Sequence, residues 1–482
     1  MRLGRETQSR TSAPLGLLCI ATPLDLAGYR VKIIDQGFER KWKNILLSEL
    51  EKKPVCLGVS TKTGPQIRYA IEASSIAKQH GETPVVWGGV HPSLLPEQTL
   101  KNQNIDIVVQ GEGEETFFEL VQALEQNRPL NSIKGIWYKE NGEIRKTEPR
   151  PFIDLNKRFF PSYHLVDLTR YSLKLFGIDH VWFSSSRGCP YRCGFCYNTV
   201  FNKGTWRGLT AEKTLDGIKR IRREYSFRGI NLTDDLFFKD IERVKKILSG
   251  IVDKEIDVVV SKLDIHGHEL SKIDDDFLGL LENAGCKSII VGVESGSQRI
   301  LNLINKNINI SQVLEFNKRI RKFPIIPKYS FMMGFPTETK DDIQQTVSLI
   351  FKLIEDNEEA MKDMNIYSCY PGTVLYDLAI EKGLKPPESL EEWASVNWRT
   401  INRKYTPWVT RERERLLKML HCSSLFLEKN YFLEPIRPTN PFIVMLARLY
   451  HPIAKKRVQT LYHKFAIEIK LAEWLNLYPK QG

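Results

Sequence analysis

Short apolar runs and amphipathic stretches alternate twice along the chain, and the two alternations differ in rhythm. Between residues 14 and 125, RVKIIDQG (30–37), VCLGVSTKTG (55–64), PVVWGGVHP (84–92) and IDIVVQGEGE (105–114) each read as a buried strand ending in a glycine- or serine-containing loop. PQIRYAIEASSIAKQH (65–80), which lies between two of them, carries apolar residues at helical spacing. Val- and Ile-rich strands separated by helices predict a parallel sheet covered on both faces, a doubly wound, Rossmann-like or flavodoxin-like α/β domain. Ligands of such sheets sit at the carboxyl ends of the strands. The loops Ser60–Gly64, Gly88–Gly89 and Gly111–Gly113 fall there, and glycine lets a large ligand approach the backbone.

The segment 131–161 predicts a hairpin about Asn141-Gly142 followed by a Pro-rich connector. From His180 the second alternation begins. VWFSSSR (181–187), GINLTDD (229–235), DVVVSKLD (257–264), SIIVGVESG (288–296), KYSFMMGFP (328–336) and MNIYSCYPG (364–372) are six strand candidates with helical segments between them. Six strand–helix units predict a partial TIM-type barrel with its chemistry at the strands' carboxyl ends. The expected organisation is a front domain over 1–145, a linker over 146–177, the partial barrel over 178–395 and a helical C-terminal segment over 396–482.

Composition alters this picture little. Of 482 residues, 42% are hydrophobic and 27% charged, enough for sizeable cores. The net charge of +12 is mainly a property of the tail: residues 401–482 hold 15 Lys and Arg against 6 Asp and Glu. A solvated helical face accounts for such a segment, and no nucleic acid is expected as a partner. The aromatic-rich stretch 437–478 reads either as helices packed on the barrel or as a peripheral contact with an anionic membrane face. No apolar h-region opens the chain, and FIVMLA (442–447) is far too short to span a bilayer, so a cytoplasmic protein is expected. Eight cysteines in a chain of this length make no disulfide framework.

Three of those cysteines carry the candidate chemistry. In SSSRGCPYRCGFCYN (184–198), Cys189, Cys193 and Cys196 follow a predicted strand at C-x₃-C-x₂-C spacing. Structural zinc wants four protein ligands, and neither His164 nor His180 continues a zinc spacing. Three thiolates on a four-iron cluster leave one iron open to a small molecule. Arg187 and Arg192 are expected to moderate the cluster's negative charge.

With Phe195 ahead of the last cysteine, the motif resembles that of radical S-adenosylmethionine (SAM) enzymes. The resemblance implies that SAM chelates the open iron of a [4Fe-4S] cluster and is cleaved reductively to a 5′-deoxyadenosyl radical. It extends to later strand ends. There it implies that Asp234 and Asp235 meet the methionine amino group and that Lys262, beside Ser261 at the end of the third strand, pairs with its carboxylate; Glu294 and Ser295 are candidates for the sugar or methionine contacts, and Ser261 and Gly334 for the rest of the SAM site. A helix N-cap for the segment from Lys239 is the other reading of Asp234 and Asp235, and a local ion pair that of Glu294. MMGFPTET (332–339) resembles a segment that usually reads G-F-P-G-E-T, so Thr337 departs from it; YPGT (370–373) lies near the expected adenine site.

The front region resembles the cobalamin-binding domain that precedes one large class of these enzymes, through residues 14–35, 85–97 and 108–120. That makes Ser60, Gly88, Gly89, Gly111, Glu112 and Gly113 the cobalamin candidates. The D-x-H-x-x-G loop of some cobalamin proteins is absent, since Gln36, Gly37 and Phe38 follow Asp35, so no histidine from this loop is expected on cobalt. His91 reads as a packing histidine. Little chain precedes Pro14, and the usual first strand is expected to be missing. The resemblance implies methylation of an unactivated carbon by methylcobalamin, with an external flavodoxin- or ferredoxin-type electron donor. Oxidative cyclisation or rearrangement, on a lipid or tetrapyrrole, is the alternative. A non-catalytic iron–sulfur electron-transfer protein is the reading from another class.

Overall fold

The computed structural model describes residues 12–171, 173–396, 401–424, 426–427, 441–465 and 469–470. Helices α1 (Leu15–Leu26) and α2 (Trp42–Leu50) come before the first strand, β1 (Leu57–Ser60). Then follow α3 (Gln66–His80), β2 (Val85–Gly88), α4 (Val90–Leu94), α5 (Pro96–Leu100), β3 (Ile107–Val109) and α6 (Glu114–Glu125). β1, β2 and β3 are parallel neighbours, and the hairpin β4 (Ile136–Glu140) and β5 (Glu143–Lys146) extends the sheet antiparallel beyond β3. Asn141 and Gly142 at its tip have φ of 52° and 81°, as a two-residue primed turn requires. Val85, Trp87 and Val108 are buried in the same core as Ile67, Ala70 and Ala77 of α3. Val86, Ile107 and Val109 are buried in a second one with Leu120 and Ala123 of α6. Alternate strand residues thus feed opposite faces, as a doubly covered sheet demands.

One predicted strand is corrected. Residues 30–35 of RVKIIDQG form no strand. They pair with no strand: residues 15–26 ahead of them are helical, and the outer edge of β1 is unpaired among the described residues. A parallel strand exists only through its ladder.

The second domain contains β6 (Leu173–Leu175), β7 (Ile178–Phe183), β8 (Ser186–Arg187), α7 (Asn198–Phe201), β9 (Arg207–Gly208), α8 (Ala211–Tyr225) and β10 (Gly229–Leu232). It continues with α9 (Ile241–Asp253), β11 (Val259–Val260), β12 (Leu263–His266), α10 (Asp275–Asn283), β13 (Ser288–Glu294) and α11 (Gln298–Leu303). Helix α12 (Ile310–Ile320), β14 (Ile326–Met333), α13 (Lys340–Asp356), β15 (Met361–Ile366) and α14 (Val374–Glu381) complete it. All six predicted strands are present, but the third is broken. Its first half, β11, pairs with β10 and so belongs with β7; its second half, β12, pairs with β13 and opens the array β12-β13-β14-β15. Ser261 and Lys262 therefore sit where the chain crosses from one four-stranded sheet to the other. The result is an open, partial barrel of parallel strands. Helices cover it through buried stripes, such as Leu215, Ile218 and Ile221 of α8.

After the barrel, α15 (Leu390–Trp393) returns to the front domain, where Trp393 Nε1 donates to Gln98 Oε1 at 2.7 Å. Helix α16 (Arg411–Ser424) lies against β15, and α17 (Pro441–Thr460) lies against α16 and α13. Ala454 and Val458 of α17 are buried, whereas Met445, Leu449 and Ile453 are exposed. The tail thus packs on the barrel over its described part; residues 428–440 and 471–482 of the predicted helical segment lie outside the described residues. Among the described residues no helix is long and apolar enough to cross a membrane.

Candidate functional site

The three cysteines lie in the loop between β8 and α7. That loop is pinned from both sides: Gly188 N donates to Asp235 Oδ2 at 2.8 Å, and Gly194 N to Ile304 O at 2.8 Å. Burial first, and the charges of neighbouring thiols second, push the thiols up, Cys189 to about 11 and Cys196 to about 12. Cys193 raises both Cys189 and Cys196, so the three thiols are close neighbours, a donor set that a cluster of irons relieves. Among the described residues no three His, Cys, Asp or Glu side chains converge as the ligands of one metal ion do. Sulfurs bound to the separate irons of a cluster have no need to share one centre.

The expected role of the two arginines is corrected. Arg192 is exposed. Arg187 is committed to two carboxylates of the front domain, with Nη1 2.9 Å from Glu112 Oε1 and Nη2 on Glu114. The cation beside the cysteines is Lys306, which the sequence reading missed. Its Nζ is buried 2.8 Å from Glu294 Oε1. Burial alone would depress its pKa, but the charges of Glu294 and Cys193 outweigh that and hold it above the ordinary value. Glu294 thus makes the local ion pair. Its own backbone is left-handed (φ 71°) at a bulge where β13 slips against β14. The pair passes directly over Gly292, where a Cβ would lie 2.9 Å from Lys306 Nζ. The signal available for Lys306 was its place between Ile304 and Ile308, both buried.

The other SAM candidates divide into committed and open groups. Asp234 is buried and fully engaged: its carboxylate accepts from Ser185 N at 2.7 Å, Ser185 Oγ at 2.5 Å and Ser186 Oγ at 2.7 Å. Neither Asp234 nor Asp235 caps the following helix, because Asp240 does so by accepting from Arg243 N. Ser261 Oγ donates to Ile230 O, and Ser295 Oγ is 3.1 Å from Thr346 Oγ1; both serines are fully buried. Gly334 is buried too, its N–H on Glu338 Oε2 and its carbonyl on Trp408 Nε1. Asp235 is exposed, and Lys262 is half-buried with Nζ 4.0 Å from Asp264 Oδ2. Asn231 Oδ1, buried near these strand ends, has no hydrogen-bond partner.

In the front domain, Ser60 is exposed, and Gly88 and Gly111 are partly so. At Gly111 (φ 86°) a Cβ would meet nothing within 4 Å. Thr61 Oγ1 and His91 Nε2 are buried on the same strand-end loops without a partner. Burial lowers the pKa of His91 to about 4, so its ring is neutral, and its Nδ1 lies 3.1 Å from Thr63 Oγ1. Open glycine edges and unpartnered polar atoms fit a large polar ligand such as cobalamin. The remaining candidates are bound to protein instead. Glu112 accepts from Arg187, Arg207 and Ile153 N. A Cβ at Gly89 would lie 2.7 Å from Thr61 O, and Gly113 packs against Ile20.

The two sites face each other. Helix α4, at the end of β2, lies against α7, which follows Cys196. Glu112, at the end of β3, joins Arg187 on one side of the cysteine loop to Arg207 on the other.

Residues 183–350 match the family model of the radical SAM superfamily, and residues 7–121 that of the B12 binding domain. An uncharacterized methyltransferase of Pyrococcus horikoshii is 32% identical over 89% of this chain and 89% of its own length. The anaerobic magnesium-protoporphyrin IX monomethyl ester cyclase of Synechocystis sp. is 26% identical over 72% of this chain and 70% of its own. In fold, the radical SAM methyltransferase TsrM from Kitasatospora setae, solved with cobalamin and a [4Fe-4S] cluster, matches with a TM-score of 0.69 at 17% identity, covering 95% of this chain and 97% of that one. With its three-cysteine loop set against the strand ends of the front sheet, the chain belongs to the cobalamin-binding radical SAM enzymes, whose cofactors are a [4Fe-4S] cluster, SAM and cobalamin.

Proposed function

We propose that this enzyme methylates an unactivated carbon of a small molecule. The observation that carries the reading is the juxtaposition just described: the open loop edges at Ser60, Gly88 and Gly111 belong to the sheet whose other loop ends clasp the cysteine loop through Glu112. The relative's name as a methyltransferase supports it.

In this reading Cys189, Cys193 and Cys196 hold the cluster, and Ser60, Gly88 and Gly111 border cobalamin. When bound, these cofactors and SAM supply the one-electron and methyl-transfer chemistry. The chain's own residues orient and neutralise. Lys262, partly open at the crossing between the sheets, offers a cation to the methionine carboxylate. Asp235, anchored through Gly188 N, keeps its other oxygen for the methionine amino group. Lys306 carries the positive charge beside the thiolates, and Glu294 fixes it there. Asp234 acts one step back, tying the end of β7 to the end of β10 through Ser185 and Ser186. An external one-electron donor of flavodoxin or ferredoxin type supplies reducing equivalents.

The test uses the full chain, reconstituted anaerobically with iron, sulfide and cobalamin and incubated with SAM, reductant and a panel of small-molecule acceptors. The expected products are deoxyadenosine, S-adenosylhomocysteine and an acceptor heavier by one methyl group. Deoxyadenosine with an acceptor that has lost hydrogen instead would favour oxidative ring closure, the second reading, which the likeness to the cyclase supports.

A further inference from the structure

The sulfurs of the cysteine loop are not equivalent. Each takes a backbone N–H, Cys189 from Tyr191, Cys196 from Asn198 and Cys193 from its own residue. Cys193 also faces a side-chain nitrogen. His266, the last residue of β12, places Nε2 3.5 Å from Cys193 Sγ. The direction of that contact is fixed by the other ring nitrogen. Nδ1 accepts the backbone N–H of His268 at 3.2 Å. An accepting nitrogen carries no proton, so the ring's proton sits on Nε2, the atom that faces the sulfur.

The ring is also held in that pose. It stacks on Tyr191, with centroids 4.0 Å apart and planes 18° apart. Tyr191 in turn donates its hydroxyl to Glu269, a fully buried carboxylate that also pairs with Lys272 at 2.5 Å. A ring flip would give up both hydrogen bonds of the imidazole. The chain from Glu269 through Tyr191 to His266 therefore aims one N–H at one sulfur.

We infer that His266 is a positioning residue for the cluster, whose Nε2–H donates to the Cys193 sulfur and raises the cluster's reduction potential. The physical reason is general. Reduction adds negative charge to the iron–sulfur unit, and a donor on a ligand sulfur stabilises the more negative state; hydrogen bonds to sulfur are among the factors that set such potentials. The inference rests on the three-thiolate cluster, and the experiment keeps the two separable.

The full-length chain is reconstituted anaerobically with ferrous iron and sulfide, assayed for iron and sulfide, and titrated with dithionite in the presence of mediators, with the reduced cluster read by electron paramagnetic resonance. His266→Phe keeps the stack on Tyr191 and removes the donor; His266→Gln keeps a donor. At a fixed potential the Phe variant is expected to show a roughly tenfold lower ratio of reduced to oxidised cluster, a midpoint lower by about 59 mV for one electron. The Gln variant should stay near the wild type. An unchanged midpoint in a His266→Phe protein with wild-type iron content overturns the inference. Where the Phe variant fails to fold or to take up iron, the wild type labelled with ¹⁵N-histidine decides. Pulsed resonance of its reduced cluster should show a weak histidine nitrogen coupling, and its absence overturns the inference. A wild-type chain that takes up no iron overturns the reading of the cysteine loop itself, and this inference with it.

Discussion

Arg187, two residues ahead of Cys189, reaches out of the barrel to Glu112 of the front domain, with Nη1 2.9 Å from Oε1. Glu112 also accepts from Arg207, so one carboxylate with a side chain only 5% exposed clamps both flanks of the cysteine loop. Burial alone would raise its pKa, but Arg207 and Arg187 hold it below the ordinary carboxylate value.

Glu112→Gln should therefore destabilise the folded chain by about 3 kcal/mol at neutral pH, since it leaves the largely buried Arg207 without its carboxylate, while Arg187 keeps Glu114. The sign with pH follows from linkage. A depressed carboxylate contributes its stability in full above its unfolded value of 4.5 and loses it as pH falls through the lower folded value. The stability gap between wild type and Glu112→Gln, measured by urea unfolding, should narrow steadily below pH 4.5. A gap that stays constant with acidification would mean that Glu112 acts through shape rather than charge.

The Lys306–Glu294 pair predicts a cycle rather than a single loss. Lys306→Met strands a buried carboxylate and Glu294→Leu a buried ammonium, and each should cost about 3–5 kcal/mol. The double replacement should cost clearly less than the two single costs added together, because no unpaired charge remains. Chemical denaturation of all four proteins checks this. Additive losses would show that the two side chains do not communicate.

The cysteines offer a contrast within one residue type. Cys193→Ala should abolish stable cluster uptake, read as bound iron and sulfide per chain. Cys286→Ala should retain the full complement, because Cys286 is buried away from the loop with its Sγ 3.6 Å from Ser288 O. Equal iron loss in both variants would overturn the assignment of the cluster to the loop.

Much of this was legible in the sequence because the patterns are local. Strand–helix alternation, the Asn141-Gly142 turn and the spacing of Cys189, Cys193 and Cys196 each lie within a few residues of chain. What was not legible depends on partners far away along it. Arg187 looked like a cluster cation, yet its partner Glu112 is 75 positions away. His266 meets Cys193 across 73. The strand expected at 30–35 failed for the same reason, since a strand is defined by a neighbour that no local pattern can supply.

Thr337 joins a sequence departure to a measurable strain. Where the resembled segment usually has glycine, this chain places a β-branched residue in a left-handed conformation, at φ 65°. The left-handed conformation costs an L-residue roughly 1–2 kcal/mol, and a glycine there gives back about 0.5–1 kcal/mol in unfolded-chain entropy. The Thr337 side chain is exposed, and Arg299 binds only its carbonyl, at 2.8 Å, so substitution removes no contact that holds the turn. Thr337→Gly should therefore stabilise the protein by roughly 0.5–1 kcal/mol, visible as a higher midpoint in thermal or urea unfolding. Thr337→Val, which keeps the branching, should show no such gain. If both variants gain equally, the threonine hydroxyl rather than the backbone is at fault. If Thr337→Gly loses stability, the turn is held by something other than the sign of φ.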